Sequence, residues 1–298
     1  MIHTPVLLNE VLEYLKPATG GRYIDATMNG GGHTLAIAER VRPAGMVLGI
    51  EWDPTLFQET ESQIKNHELS KNVIPVNDSY VNLKEIAEAH SFVPDGILFD
   101  LGLSSWHYEA SGRGFTFKKD EPLDMRFNPS AGSGQVPAYE IVNTFTVPEL
   151  EQILRDYGEE QFARSISESI GINRKKKPIM TTAELVAVIS VAVPEWYKHR
   201  KIHFATKTFQ ALRVVANDEL GNVTKGVRAA IDVLKPSGRL VVISFQGHED
   251  KIVREIFKEQ VKAGRITQPV KGTTRPTWPE QQANPRSRSA KMKVAQKI

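Results

Sequence analysis

The sequence contains no cysteine. Disulfides, thiolate zinc sites, iron–sulfur clusters and cysteine nucleophiles are therefore excluded. No apolar run approaches the roughly 20 residues of a membrane-spanning helix. The first ten residues lack a basic stretch followed by an apolar one, so no secretory signal is expected. Several catalytic signatures are missing as well. The glycines are not followed by the Gly-Lys-Ser/Thr of a P-loop, and the dinucleotide fingerprint is absent at its usual offsets. There is no Gly-x-Ser-x-Gly elbow. The eight histidines (3, 33, 67, 90, 107, 199, 203 and 248) form no His-Glu-x-x-His and no metal pair, so no structural metal is expected.

What is present is 298 residues, 40% apolar, 24% charged and only 8% aromatic. That composition suits a globular chain with a substantial core, in one large domain or two ordinary ones. The net charge of +3 hides a gradient, from −7 over residues 1–105, through 0 over 106–203, to +10 over 204–298. A basic C-terminal third points to a polyanion partner, although a solvated basic surface explains the count as well.

Short apolar runs alternate with helical patterns through the first hundred residues. Strands are expected at 22–27, 46–51, 73–77 and 96–100, and helices at 6–15, 34–41, after Pro54, and at 82–90. Gly96-Ile-Leu-Phe-Asp100 is nearly continuous in apolar residues, as in parallel strands covered on both faces. From 105 to 203 the pattern is helical and loop-like. It includes helices at 147–157 and 160–172 and the capping box Thr181-Thr-Ala-Glu184. Helices at 205–220 and 223–234, a strand at 240–245, a helix at 250–262 and a last strand within 290–296 complete the chain. The fold class expected is doubly wound α/β, with 1–105 and 204–298 forming one discontinuous domain and 106–203 an inserted helical domain.

Five constellations carry chemistry. Asp25-Ala-Thr27 followed by Gly30-Gly31-Gly32 opens a helix, where bare backbone and free N–H groups admit a ligand closely; a plain turn is an equal alternative. Glu51 ends the second strand, where a carboxylate can accept from both ribose hydroxyls; Asp53 competes with it. Asp100-Leu-Gly-Leu-Ser104-Ser105 leaves the fourth strand at its carboxyl end, where open α/β sheets bind ligands. Arg113 and Arg126 lie in a glycine- and phenylalanine-rich stretch suited to phosphate contact and base stacking, or to pinning an ordered loop. Asn284-Pro-Arg286-Ser-Arg288-Ser289 reads as a phosphate-contacting strip or a solvated linker. The run Arg174–Lys177 is most simply an exposed charged loop.

Together these stretches resemble the bacterial 16S ribosomal RNA cytosine-N4 methyltransferases of the RsmH/MraW type. His3-Thr-Pro-Val-Leu-Leu8, Asp25–His33, Asp95–Ser105, Arg113–Phe117, Leu123–Arg126, Thr208–Arg213, Asn217–Leu220 and Asn284–Ser289 carry the resemblance over almost the whole chain. It implies a class I, Rossmann-like fold using S-adenosyl-L-methionine, with an inserted helical domain that helps bind substrate. It also implies methylation of the N4 amine of a cytidine in the decoding region of small-subunit RNA. Cofactor contacts are expected at Gly31, Gly32, His33, Glu51, Tyr80, Asp100 and His107, with Asp100 as the catalytic residue. RNA is expected at Ser104, Ser105, Arg113, Arg126, Asn217, Arg286 and Arg288. The implied partner is small-subunit RNA or the 30S particle, in the cytoplasm, with no membrane; a homodimer is compatible. The chain departs from the family's usual residues at Asn29, Glu51, Trp106-His107 and Gln246-Gly-His248. An assembly factor that binds RNA without catalysis and a methyltransferase with another acceptor are the alternative readings.

Overall fold

The computed structural model describes residues 5–130 and 134–298. His3 and Thr4, at the start of the first family-like stretch, lie outside the described residues. Two compact units are present, residues 1–104 with 220–298, and residues 105–219.

In the first unit, α1 (Leu8–Leu15), β1 (Arg22–Asp25), α2 (Gly32–Val41), β2 (Met46–Glu51), α3 (Pro54–Lys65), β3 (Val73–Asn77), α4 (Leu83–Ala89) and β4 (Gly96–Asp100) follow one another. The helical unit then runs through α5 (Ser105–Glu109), α6 (Ala138–Thr144), α7 (Val147–Asp156), α8 (Ala163–Asn173), α9 (Thr182–Ala192), α10 (Glu195–Lys198) and α11 (Thr206–Asn217). The chain returns to the first unit along α12 (Glu219–Val233), then β5 (Arg239–Ser244), α13 (Gly247–Lys262), β6 (Ile266–Thr267), α14 (Trp278–Ala283) and β7 (Lys291–Lys297).

The strands form a seven-stranded sheet in the order β3-β2-β1-β4-β5-β7-β6. β1 to β5 are parallel and β7 runs antiparallel to both its neighbours. Strand order reverses between β1 and β4, the point where such sheets open a crevice. Alternate side chains of each strand enter opposite cores. Ile24, Leu48, Ile50, Ile97, Phe99, Leu240 and Val242 pack with Leu83, Ile86, Val227, Ile231, Val253 and Phe257 from α4, α12 and α13. Tyr23, Val47, Leu98, Val241 and Ile243 pack with Val11, Leu15, Ile37, Val41 and Ile64 from α1, α2 and α3. Each such buried aliphatic side chain contributes about 1.5–3 kcal/mol. Double-sided burial is why these strands read as apolar runs.

Several boundaries differ from the sequence reading for local reasons. The unit boundary falls after Glu219, whereas 203/204 was expected, because α11 packs on α6 and α7. There Asp218 turns left-handed (φ 48°) and separates α11 from α12. α13 starts three residues early, since Gln246 and Glu249 form a reciprocal cap. The short elements α5, α6, α10, α14 and β6 carry too little periodicity to be legible. Among the described residues no helix is long and apolar enough to cross a membrane.

Candidate active site

The carboxyl ends of β1, β2 and β4 each end in an acid. Asp25, Glu51 and Asp100 are all buried. The loop after β1 ties these ends together, because its backbone bonds to the strands on either side. Ala26 N–H donates to the Leu98 carbonyl at 2.9 Å and Met28 N–H to the Ile50 carbonyl at 2.7 Å. Thr27 Oγ1 accepts from the Asp100 N–H at 2.6 Å, across the point where strand order reverses.

Asp25 accepts from Thr34 Oγ1 at 2.7 Å and from the Thr27 N–H at 3.2 Å. It therefore fastens the first turn of α2 beneath the loop, a role its sequence position alone did not reveal. Burial pushes its carboxyl up to about 6, against the lowering effect of those bonds. Glu51 accepts from the Asn29 N–H at 2.9 Å through Oε2 and from the Asp53 N–H at 2.8 Å through Oε1. Burial, with repulsion from Asp53 and Asp25, raises it to about 8. Each carboxylate oxygen has two acceptor sites, so one per oxygen remains for further donors. Asp53 is settled differently. Its Oδ1 accepts from Thr55 and Leu56 N–H and caps α3.

The glycine loop is shaped by two left-handed residues, Asn29 (φ 48°) and Gly31 (φ 80°). Asn is among the few side chains that visit this region, and Asn29 Nδ2 donates to the Thr27 carbonyl at 3.0 Å. That accounts physically for an asparagine where the family usually has glycine. A Cβ on Gly31 would stand 3.2 Å from Thr60 Cγ2 as well as being strained. Gly31 precedes α2, whose first-turn N–H groups lack partners within the helix and carry positive potential.

Asp100 sits one strand away. Its Oδ1 has no hydrogen-bond partner and its Oδ2 faces His33 Nδ1 at 3.6 Å. Burial first, then Asp25 and Glu249, pushes it up to about 8, partly offset by the Gly102 N–H. His33 is itself buried, and its Nε2 lies 3.0 Å from the Val6 carbonyl oxygen. Gly102 packs closely here, since a Cβ would fall 2.6 Å from the Phe245 ring and force it to shift. Tyr80, in the turn after β3, packs edge-on against Phe99, with ring centroids 5.4 Å apart. Gly226 of α12 leaves room for it, because a Cβ there would meet Tyr80 Cδ2 at 2.5 Å.

A family model for MraW methylases matches residues 1–298. The chain belongs to the MraW methylase family. It is 44% identical over 301 residues to "Ribosomal RNA small subunit methyltransferase H" of Fervidobacterium nodosum, covering 99% of this chain and 97% of that one. It is 42% identical over 298 residues to the protein of the same name from Thermosipho melanesiensis, covering 99% and 98%. It is also similar to the crystal structure of an rRNA methylase from Streptococcus thermophilus, with a TM-score of 0.44, 11% identity and coverage of 98% and 93%.

This MraW-family chain has the class I, Rossmann-like methyltransferase fold, and its cofactor is S-adenosyl-L-methionine. The residues present fit that molecule. The two spare acceptor sites of Glu51 match a ribose diol, the bare loop at Gly31 and Gly32 admits the amino-acid part, and the unpartnered Asp100 Oδ1 points to a missing polar group or cation.

The remaining expected residues divide between the units. Gly31, Gly32, His33, Glu51, Tyr80 and Asp100 gather in the first unit. Ser104, also there, is buried, while Arg286 and Arg288 are exposed on a short 3-10 turn before β7. Ser105 opens α5 in the helical unit. His107 is buried there among Trp106, Phe115 and Phe127, with ring centroids 5.2–5.5 Å away. Arg113 donates to the carbonyls of Arg126 and Phe127 at 2.9 and 2.8 Å and lies over the Trp106 and Phe115 rings. Arg126 forms a two-pronged pair with Asp124 at 2.7 and 2.9 Å.

Asn217 anchors the same loop. Its Oδ1 accepts from Phe127 N–H and Gln135 Nε2, and its Nδ2 donates to the Met125 and Arg213 carbonyls. All its usual bonding positions are therefore engaged inside the unit, which makes it a loop anchor in this structure. The altered stretch at 246–250 is structural too. Gln246 and Glu249 cap α13, and Asp250 pairs with buried Lys293 at 2.6 Å.

Proposed function

We propose that this chain methylates the N4 amine of a cytidine in the decoding region of small-subunit ribosomal RNA, in the cytoplasm. The single observation that carries this reading is Asp100, a buried carboxylate with an unpartnered oxygen at the carboxyl end of β4. The names of the curated relatives support ribosomal RNA as the acceptor.

Bound S-adenosyl-L-methionine supplies an electrophilic methyl group on a sulfonium centre. We assign Glu51 to the ribose hydroxyls, Gly31, Gly32 and His33 to the amino-acid end, and Tyr80 to the adenine side. The cytosine amine is a weak nucleophile because its lone pair is delocalised into the ring. Asp100 therefore acts by orienting that amine and taking the proton it sheds as the new N–C bond forms and the S–C bond breaks. Alignment of this kind contributes roughly 7–11 kcal/mol. The target base must be unpaired or flipped out to reach a buried carboxylate. Ser104 and Ser105 follow Asp100 and are assigned to the base edge. The helical unit holds RNA, with Arg113 and Arg126 stiffening the loop it presents, and Arg286 and Arg288 bind flanking phosphates.

The test is nucleotide-level mapping of methylated cytidine in small-subunit RNA from cells with and without this protein. Added to it is methyl incorporation from radiolabelled cofactor in vitro. Loss of one N4-methylcytidine on deletion supports the reading. Transfer to DNA alone, or cofactor binding with no transfer to RNA, overturns it.

A further inference from the structure

Residues 268–290 contain four cations, Lys271, Arg275, Arg286 and Arg288, against one acid, Glu280. All four cations are exposed. Glu280 faces the protein, accepting from the Leu7 N–H through Oε1 at 2.7 Å. In the middle of the segment stands Trp278, the first residue of α14, with 71% of its surface exposed. An indole left in water on a short helix contributes little to a core. Arg275 precedes it by three residues and Arg286 follows it by eight.

Topology puts this segment at the active edge of the sheet. Asp100 is in register with Ile243 of β5, Ile243 with Met292 of β7, and Met292 bridges Thr274. Thr274 is therefore three strand spacings from Asp100, roughly 14 Å. A second path runs through Leu7, Val6 and His33. α14 is bonded through Glu280 to Leu7, and the carbonyl of the preceding Val6 receives His33, which faces Asp100.

We propose that Trp278 is a stacking platform for an unpaired base of single-stranded RNA, with Lys271, Arg275, Arg286 and Arg288 holding the phosphates on either side of it. The inference rests on the reading of RNA as the acceptor and adds a base-binding site beside the reacting one. Single-stranded nucleic acid is held in this way elsewhere, by cations tracking the backbone and rings stacking on bases irrespective of sequence. A protein partner for this surface would need acidic complementarity but no base stack.

The measurement is binding of a fluorescent single-stranded oligoribonucleotide to the full chain over a range of salt concentrations. Trp278→Ala, Trp278→Phe and Arg275→Ala are compared with the unaltered protein. Loss of one base–aromatic stack weakens binding by roughly 5- to 150-fold. Trp278→Ala should show that loss with the salt slope unchanged. Trp278→Phe should recover most of the affinity. Arg275→Ala should lower the slope by about 0.7, as for one phosphate contact on a single strand. Cofactor affinity is measured for each variant to confirm that the fold is intact. If Trp278→Ala binds RNA as tightly as the unaltered protein while that protein binds and methylates RNA, the platform is wrong and the RNA reading survives. If the unaltered protein neither binds nor methylates RNA, the reading and the platform fall together. An acidic peptide that binds this surface in place of the oligoribonucleotide would also overturn the proposal.

Discussion

His33 Nδ1 faces Asp100 Oδ2 at 3.6 Å, and the opposite nitrogen of the ring fixes what can pass between them. The Val6 carbonyl can only accept, so the hydrogen bond at 3.0 Å requires a proton on His33 Nε2. A neutral His33 therefore turns a bare Nδ1 toward Asp100. With the Asp100 carboxyl raised to about 8, a proton there at neutral pH has an acceptor beside it. Burial, with the charges of Asp25 and Glu249, holds that proton on Asp100.

Asp100 accepts the amine proton only when ionised, so kcat/KM should rise with pH and level off above about 8. The corresponding limb in kcat should lie lower, since a cation bound beside the carboxylate favours its charged form. Asp100→Asn should reduce kcat by roughly 10²–10⁴-fold, the range of general-base contributions. Single-turnover methyl transfer over pH 6–9.5 checks both. A flat profile, or near-normal turnover of the variant, contradicts the assigned role.

Stability should respond to the same group with opposite sign. A carboxyl raised in the folded state holds a proton that the unfolded chain releases, so its stabilisation is complete below about pH 4 and is lost as pH climbs through about 8. Glu51, raised to about 8, adds to this, and Asp25, raised to about 6, adds at the lower end. His203, held below the usual histidine range by burial, opposes it modestly. Thermal unfolding without cofactor should give a Tm that falls between pH 5 and 9. Asp100→Asn should flatten that fall and be the more stable protein at pH 9.

Glu51 should govern cofactor affinity more than turnover. Removing a charged acceptor of two hydroxyls costs about 1.5–3 kcal/mol per bond, and the Asn29 and Asp53 N–H groups also lose their partner. Glu51→Ala should weaken cofactor binding by at least tenfold in calorimetry, whereas Glu51→Asp retains a carboxylate and should lose less than Glu51→Ala. Equal losses for the two would show that the carboxylate does not touch the cofactor.

Asn217→Ala should destabilise the protein. It strands the Phe127 N–H and the Met125 carbonyl inside the helical unit, at about 1–3 kcal/mol for each buried polar group left unmet. Urea denaturation reads this directly. If Asn217 instead served RNA alone, stability would be unchanged while RNA affinity fell.

The parallel strands and their closing acids were legible because double-sided burial writes continuous apolar runs, as in Gly96–Asp100, and because a strand's carboxyl end is where a polar residue must serve some purpose. The Thr181–Glu184 cap was legible for a similar reason: it is local chemistry at a fixed spacing. Asp25 was not legible as an anchor of α2, since its partner Thr34 is nine residues on. Nor could Asp53 be separated from Glu51, two residues apart, until the chain turned one carboxylate toward the glycine loop and the other onto a helix end. Arg113, Arg126 and Asn217 were expected at RNA from the family resemblance, yet Arg113 and Arg126 bond within their own loop and Asn217 ties that loop to α11.

The sequence by itself determined the α/β alternation, the helical interruption, and which carboxylates end which strands, because periodicity and burial are local properties of the chain. The tertiary structure alone decided which groups share a proton or a hydrogen bond. Asp100, His33 and Val6 are up to 94 residues apart, and only sheet register and the packing of α1 and α2 bring them within a few ångströms. Electrostatics and hydrogen bonding act over those distances, so the state of the Asp100 carboxyl became readable only once its neighbours were in place.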